Sequence, residues 1–233
     1  MSQPVTEPLP EKAVLDLYAS LCELRPADRP VAALEALSSR SGHANGMSAM
    51  TLGDANRLFW SLRPSGRAPV QSQLQCVGCG DWLELPLPAG FAVPDSRKDR
   101  VTIEHDGRTY TLRQPTHADL VTGMEAGGPP KFPVEVLSPG APWKDADFRD
   151  KAAMALDKAD PGLDLVFDVT CEQCGTETRG QLDPFAFFWS ALKVRANALL
   201  NEITRLASAF GWSEQDCLAV SPSRRRLYLE RLS

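Results

Sequence analysis

The chain has 233 residues, 43% of them hydrophobic and 24% charged, which is enough apolar material for a packed core in one large or two small domains. Asp plus Glu outnumber Lys plus Arg by 30 to 25, a net charge of -5 with a pI near 5.3, which is the wrong background for a protein that grips a phosphate backbone. No apolar run approaches the roughly 20 residues that span a bilayer, so an integral membrane protein is excluded as well.

The first predicted element is a helix over residues 10–24, with Val14, Leu15, Leu17, Tyr18 and Leu21 at helical spacing. Arg25-Pro26-Ala27-Asp28-Arg29-Pro30 breaks it, and a second helix starts near Val31. Residues 38–46 read as a loop. Thr51 is a good N-cap for a third helix carrying Leu52, Ala55, Leu58, Phe59 and Leu62 on one face, which Pro64 stops. Residues 1–68 are therefore expected to be a helical N-terminal segment.

Two knuckles of the form Cys-x-x-Cys-Gly follow, Cys76-Val77-Gly78-Cys79-Gly80 and Cys171-Glu172-Gln173-Cys174-Gly175. A two-residue gap lets both sulfurs of a knuckle face one ion, and the glycine permits the tight turn after the second thiol. Four thiolates complete one tetrahedron, so Cys76, Cys79, Cys171 and Cys174 are the candidate ligands of a structural Zn2+. Residues 81–85, 165–169 and 176–182 read as the strands of a zinc ribbon. With all four positions filled by cysteine there is no open site for water or substrate, so the metal is expected to hold the fold and not to catalyse.

Other uses of these cysteines fit less well. A redox pair needs its first thiol at a helix N-terminus, whereas β-rich sequence flanks both knuckles. The chain opens Met-Ser-Gln-Pro with no apolar signal segment, which implies a reducing, cytoplasmic setting without disulfides. Cys22 and Cys217 sit in helical patterns and are expected to be buried core cysteines.

Between the knuckles, residues 101–104 and 109–113 alternate around His105-Asp106-Gly107-Arg108, and Asp-Gly signals a type I′ hairpin that is expected to extend the ribbon sheet. Residues 115–120 read as the capped start of a short helix, residues 127–142 as a loop, and residues 145–157 as an exposed helix. The ribbon domain with its hairpin and loop insertion spans 69–183.

Asp183 caps and Pro184 opens a long helix whose apolar stripe runs Phe185, Phe188, Trp189, Leu192, Ala196, Leu199, Leu200, Ile203, Leu206, Phe210 until Gly211. Such a stripe is core and not a cofactor box. Ser213 caps a short helix with Cys217 and Leu218, and Pro222 opens a terminal helix with Leu227, Tyr228 and Leu232 beside Arg224, Arg225, Arg226 and Arg231. Residues 184–233 form a C-terminal helical module, and the fold class is α+β. The arginine cluster reads as a solvated face or as bidentate anchors for carboxylates on a partner protein, the former slightly preferred.

His43, His105 and His117 fall in a loop, a turn and a cap without a partner cysteine or serine at a recognisable spacing. Glu104 with Asp106 is more simply hairpin-edge charge than a catalytic pair, and no Gly-rich phosphate loop is present. No enzyme activity is expected.

The segments 185–189, 199–214 and 224–229, with Leu206-Ala207-Ser208-Ala209-Phe210-Gly211-Trp212 and Arg224-Arg225-Arg226-Leu227-Tyr228-Leu229, resemble the baseplate hub assembly chaperone-like proteins of contractile-tailed phages and related injection systems. A longer, zinc-knuckle branch of that family adds a helical N-terminus and a Cys-x-x-Cys-Gly pair like the one here. The resemblance spans roughly the last sixty residues most strongly and is weak over 123–161. This chain departs from the family pattern at Thr204, where a histidine is usual, and at Cys217-Leu218. The resemblance implies a non-enzymatic protein-binding factor whose partner is a baseplate, tail-hub or spike protein. Glu202, Trp212, Arg224, Arg225 and Tyr228 are then the partner-binding positions, and the protein is cytoplasmic or incorporated into a phage-tail-like particle. The alternative is a nucleic-acid-binding zinc-ribbon regulator.

Overall fold

The computed structural model describes residues 9–41, 50–62, 73–84, 87, 90–95, 98–119 and 134–232. The junction expected at 68/69, the Pro64 helix stop and the parts 42–46 and 127–133 of the two expected loops lie outside these residues; the described parts correct the loop reading, since a helix continues to Ser41 and Val134–Leu137 form a 3-10 turn. Helices and small antiparallel sheets are mixed, an α+β arrangement.

Helices α1 (Glu11–Cys22), α2 (Arg29–Ser41) and α3 (Leu52–Leu62) occupy the N-terminal third. Thr51 caps α3 as its sequence position requires, its Oγ1 accepting from Asp54 N at 3.2 Å. The pairs β1 (Gln73–Gln75) with β2 (Trp82–Glu84), β3 (Arg100–His105) with β4 (Arg108–Arg113), and β5 (Val166–Thr170) with β6 (Glu177–Gln181) are three antiparallel hairpins. Helix α4 (Ala146–Ala159) lies between the second and third hairpins. Helix α5 (Pro184–Phe210), 27 residues long, is followed by α6 (Glu214–Ala219) and α7 (Pro222–Leu229).

The caps of the C-terminal helices are those the sequence signals. Asp183 accepts from the backbone N–H groups of Phe185 and Ala186 at 2.9 and 3.1 Å, and Gly211 ends α5 in the left-handed conformation, φ 68°. Ser213 and Asp216 form a reciprocal capping box on α6.

The two ends of the chain share one core. Val14, Leu17 and Leu21 of α1, Ala33 and Leu34 of α2, and Ala55 and Phe59 of α3 pack with Phe188, Leu192, Ala196, Leu199, Ile203 and Leu206 of α5. Leu200 and Phe210, placed on the same stripe by spacing, are 39% and 42% exposed, because a core on one side of a long helix takes only part of its circumference. Cys217 is fully buried, whereas Cys22 is exposed at the end of α1, which corrects its assignment to the core.

Two further expectations are corrected. The β3–β4 hairpin turns through Asp106 (φ 49°) and Gly107 (φ 70°), as a type I′ turn demands, yet it does not extend the ribbon sheet. It packs instead on α4, where Leu112, Leu137, Trp143, Phe148, Ala152 and Leu156 form a second core. Helix α4 is for the same reason not an exposed helix: Phe148, Ala152, Leu156 and Ala159 are its buried face.

A buried ion pair joins the two cores. Asp160, 1% exposed at the end of α4, holds the guanidinium of Arg57 from α3 and accepts from Gly162 N at 3.0 Å. Arg57 also donates to Pro94 O at 2.7 Å, and Asn56 Nδ2 donates to Gly162 O at 2.9 Å. Gly53 makes room for this pair, since a Cβ there would lie 2.7 Å from the Asp160 carboxylate carbon.

Candidate metal centre

The two knuckles are built alike. Each first cysteine's carbonyl accepts from the glycine that closes its knuckle, Gly80 N to Cys76 O at 2.9 Å and Gly175 N to Cys171 O at 2.8 Å. Each first cysteine's N–H in turn bonds across the hairpin, Cys76 N to Asp81 O at 2.8 Å and Cys171 N to Thr176 O at 3.0 Å. Gly80 and Gly175 take φ of 77° and 70°, the left-handed values that the sequence position anticipates. The strands β1 and β2 carry the first knuckle at their turn, and β5 and β6 carry the second.

This local geometry brings the sulfurs of the two knuckles together across about a hundred residues of sequence. Cys76 Sγ stands 3.6 Å from Cys174 Sγ, and Cys79 Sγ stands 3.6 Å from Cys171 Sγ. All four sulfurs lie within 4.8 Å of one another. A tetrahedral ion with metal–sulfur bonds of about 2.3 Å separates its sulfurs by about 3.8 Å, so the cluster fits such an ion. All six cysteines of the chain are free thiols, and none forms a disulfide.

The surroundings push the clustered thiols in opposite directions. Backbone N–H groups of Cys79 and Gly78 pull the Cys76 thiol down to about 6, against the cost of burial. Hydroxyl and backbone donors of Thr176 lower Cys174. Cys79 gains a donor from the Asp81 backbone, but Cys174, burial and Cys171 push it up to about 12. Four thiols this close compete to ionise, and a divalent cation removes that conflict by stabilising every thiolate at once. A four-sulfur tetrahedral donor set suits zinc or iron.

Cys76 and Cys171 are buried and pack with Leu74, Leu83 and Val169, whereas Cys79 and Cys174 face solvent. Three supporting residues escaped the sequence analysis. Gly78 admits the second knuckle, because a Cβ there would meet Thr176 Oγ1 at 2.5 Å and Cys174 Sγ at 3.3 Å. Thr176 places its hydroxyl 3.3 Å from Cys174 Sγ, and the buried Thr178 accepts from Val77 N at 3.3 Å. Only the juxtaposition of knuckles far apart in sequence gives these residues their roles, so no local pattern marks them.

The positions singled out near the C-terminus separate into two groups. Arg225 is 1% exposed: it donates to Glu11 Oε1 at 2.5 Å, to Glu202 Oε2 at 3.1 Å and to Val220 O at 2.7 Å. This corrects both readings of Arg225, as solvated face and as partner anchor, since its donors are consumed within the chain. Glu202 is likewise committed to Arg225. Trp212 and Tyr228 pack partly against the main core and join Phe210 in a three-ring cluster, with centroids 5.2 Å (Phe210 to Trp212), 5.7 Å (Phe210 to Tyr228) and 5.2 Å (Trp212 to Tyr228) apart. Arg224 is exposed, donating to Tyr228 Oη at 3.2 Å with its guanidinium 5.8 Å from that ring centre.

Among the described residues no helix is long and apolar enough to cross a membrane. No family model, curated protein or solved structure matches the chain.

Proposed function

We propose that this chain is a non-enzymatic protein-binding factor for assembly of the baseplate or hub of a contractile, phage-tail-like particle, with a structural Zn2+ held by Cys76, Cys79, Cys171 and Cys174. The observation that carries the binding role is the face built by the very segments on which the family resemblance rests. Phe210 and Leu227 are 42% and 55% exposed, Phe210 is in ring contact with the half-buried Trp212 and Tyr228, and Arg224 donates to Tyr228 Oη. Aromatic and arginine side chains held rigidly beside exposed apolar surface are the usual anchors of protein interfaces. Buried inside, Arg225 ties α7 to Glu202 of α5 and Glu11 of α1, so that this face is presented on a fixed helix.

The zinc role is mechanical. Bridging the β1–β2 and β5–β6 hairpins, the ion supplies cross-links where each hairpin is short, and the β5–β6 hairpin leads through Leu182 into the N-terminus of α5. Trp60, Val93, Leu165 and Leu182 pack between the hairpin and the helices, which carries that rigidity into the long helix.

Binding to a purified tail-hub or spike protein, measured by calorimetry with the zinc-loaded chain, tests the proposal. Trp212→Ala and Arg224→Glu are expected to weaken the complex by about 2 kcal/mol or more for at least one of them, at unchanged circular dichroism. No complex with any hub, spike or baseplate component, together with a salt-sensitive gel shift on nucleic acid, would overturn it in favour of the regulator.

A further inference from the structure

His105 ends β3 with its imidazole 5% exposed, its ring set edge-on to Phe148 at 5.4 Å. Among the described residues neither ring nitrogen has a hydrogen-bond partner. A buried imidazole without partners carries a desolvation cost of about 1–3 kcal/mol for each polar group left unsatisfied. Yet three carboxylates surround it. Nε2 stands 3.5 Å from Asp106 Oδ2 and 3.4 Å from Asp145 Oδ2, and Nδ1 stands 3.4 Å from Asp147 Oδ2.

These separations are too long for charge-assisted hydrogen bonds, which close to about 2.7–2.9 Å. The two at Nε2 are the right length for atoms that share an ion. Ligands bound at about 2.0–2.1 Å around a tetrahedral centre lie about 3.3 Å from one another. We propose that His105 Nε2, Asp106 and Asp145 form a second divalent-cation site, of nitrogen–oxygen type, separate from the four cysteines.

Asp145 has one occupied and one free oxygen. Asp145 uses Oδ1 to cap α4, accepting from Asp147 N at 2.8 Å and Phe148 N at 3.3 Å, which leaves Oδ2 for the ion. Asp147 Oδ2 stands on the Nδ1 side of the ring at 3.4 Å, so its negative charge favours the tautomer with the proton on Nδ1 and the lone pair on Nε2. Lys151 Nζ lies 2.7 Å from Asp147 Oδ2 and balances that outer carboxylate. Asp106 and Gly107 form the left-handed turn that brings the Asp106 carboxylate over the imidazole. The three ligand atoms lie within 4.8 Å of one another, and Asp106 and Asp145 are exposed, so water completes the coordination. One imidazole and two carboxylates suit a borderline ion such as Zn2+. One buried imidazole and two exposed carboxylates hold it less tightly than four thiolates do.

The site is tested on the tag-free full chain with its cysteine centre already loaded, by titrating Zn2+ in a calorimeter and following His105 by 15N NMR. Wild-type protein is expected to take up a second equivalent with a shift of the Nε2 resonance. Asp106→Asn, which keeps a residue tolerant of positive φ, and Asp145→Asn, which keeps the Oδ1 cap, are each expected to weaken that second event by about tenfold or more while the cysteine-bound zinc is retained. Because neither substitution touches the cysteines, failure here and failure of the cysteine centre are told apart. Absence of a second event up to about 1 mM Zn2+ would overturn the site, as would a second event unchanged in both variants. Protonation of both ring nitrogens at neutral pH without zinc uptake would equally overturn it, marking an imidazolium paired with the carboxylates.

Discussion

Arg225→Ala is the substitution that most sharply separates a structural from a partner-binding role at the C-terminus. The guanidinium is 1% exposed and serves Glu11, Glu202 and the carbonyl of Val220, with Cys217 O at 3.4 Å as a further acceptor. Truncation leaves two carboxylates and two carbonyls without their shared donor. Removing one partner of a buried ion pair costs about 3–5 kcal/mol. Glu11 and Glu202 retain 22% and 38% exposure and recover some hydration, so the lower half of that range is expected here. Domains of this kind are stable by only about 5–15 kcal/mol, and a loss near 3 kcal/mol is plainly visible in urea unfolding followed by tryptophan fluorescence. Lysine cannot rescue it, because a single ammonium does not reproduce the forked geometry toward two carboxylates and a carbonyl. A loss below about 1 kcal/mol, the range of exposed ion pairs, would refute the buried-anchor assignment and return Arg225 to the surface.

Other outcomes follow from the same geometry. Gly53→Ala is expected to destabilise the chain by about 3 kcal/mol in urea unfolding, since its Cβ intrudes on the Asp160 carboxylate and parts it from Arg57; Gly80→Ala, in open space, gives only the smaller cost of a left-handed alanine, about 1–2 kcal/mol. Burial lowers His117 to about 4, below its unfolded value near 6.5, so the unfolded chain binds the extra proton first and stability falls as pH drops from about 6.5 toward 4. Replacing His117 by Gln is expected to flatten that part of the stability–pH curve, a change on the order of 3 kcal/mol at its acid end, and an unchanged curve would place the imidazole in solvent. Zinc loaded onto the cysteines is expected to be released on acidification, because protons compete for thiolates; a chromophoric chelator is expected to capture it faster at pH 5 than at pH 8.

Local chemistry made much of this architecture legible. Thr51, Asp183, Gly211 and the Ser213–Asp216 box end or begin their helices through backbone groups a few residues away, and such interactions depend on nearby sequence alone. The knuckles are legible because chemistry restricts what two thiols and a glycine at that spacing do. What resisted was tertiary partnership. Arg225 sits among arginines in sequence, yet its carboxylate partner Glu11 is 214 positions away. Helix α4 reads as polar and exposed until the β3–β4 hairpin covers Phe148 and Leu156. His105 has an ordinary turn context, and its acidic neighbours Asp145 and Asp147 arrive through that same packing.

The most direct test of the account is the metal content and first coordination shell of the purified full chain after dialysis against metal-free buffer. Mass spectrometry of the metals is expected to give one tightly held zinc per chain, and X-ray absorption is expected to give four sulfurs at about 2.3 Å. Cys174→Ser is expected to lose the zinc and to unfold at lower temperature, since the binding free energy of a structural zinc is largely folding free energy, on the order of 10 kcal/mol. A folded chain free of metal, a disulfide within either knuckle, or a coloured iron centre in place of zinc would contradict the account.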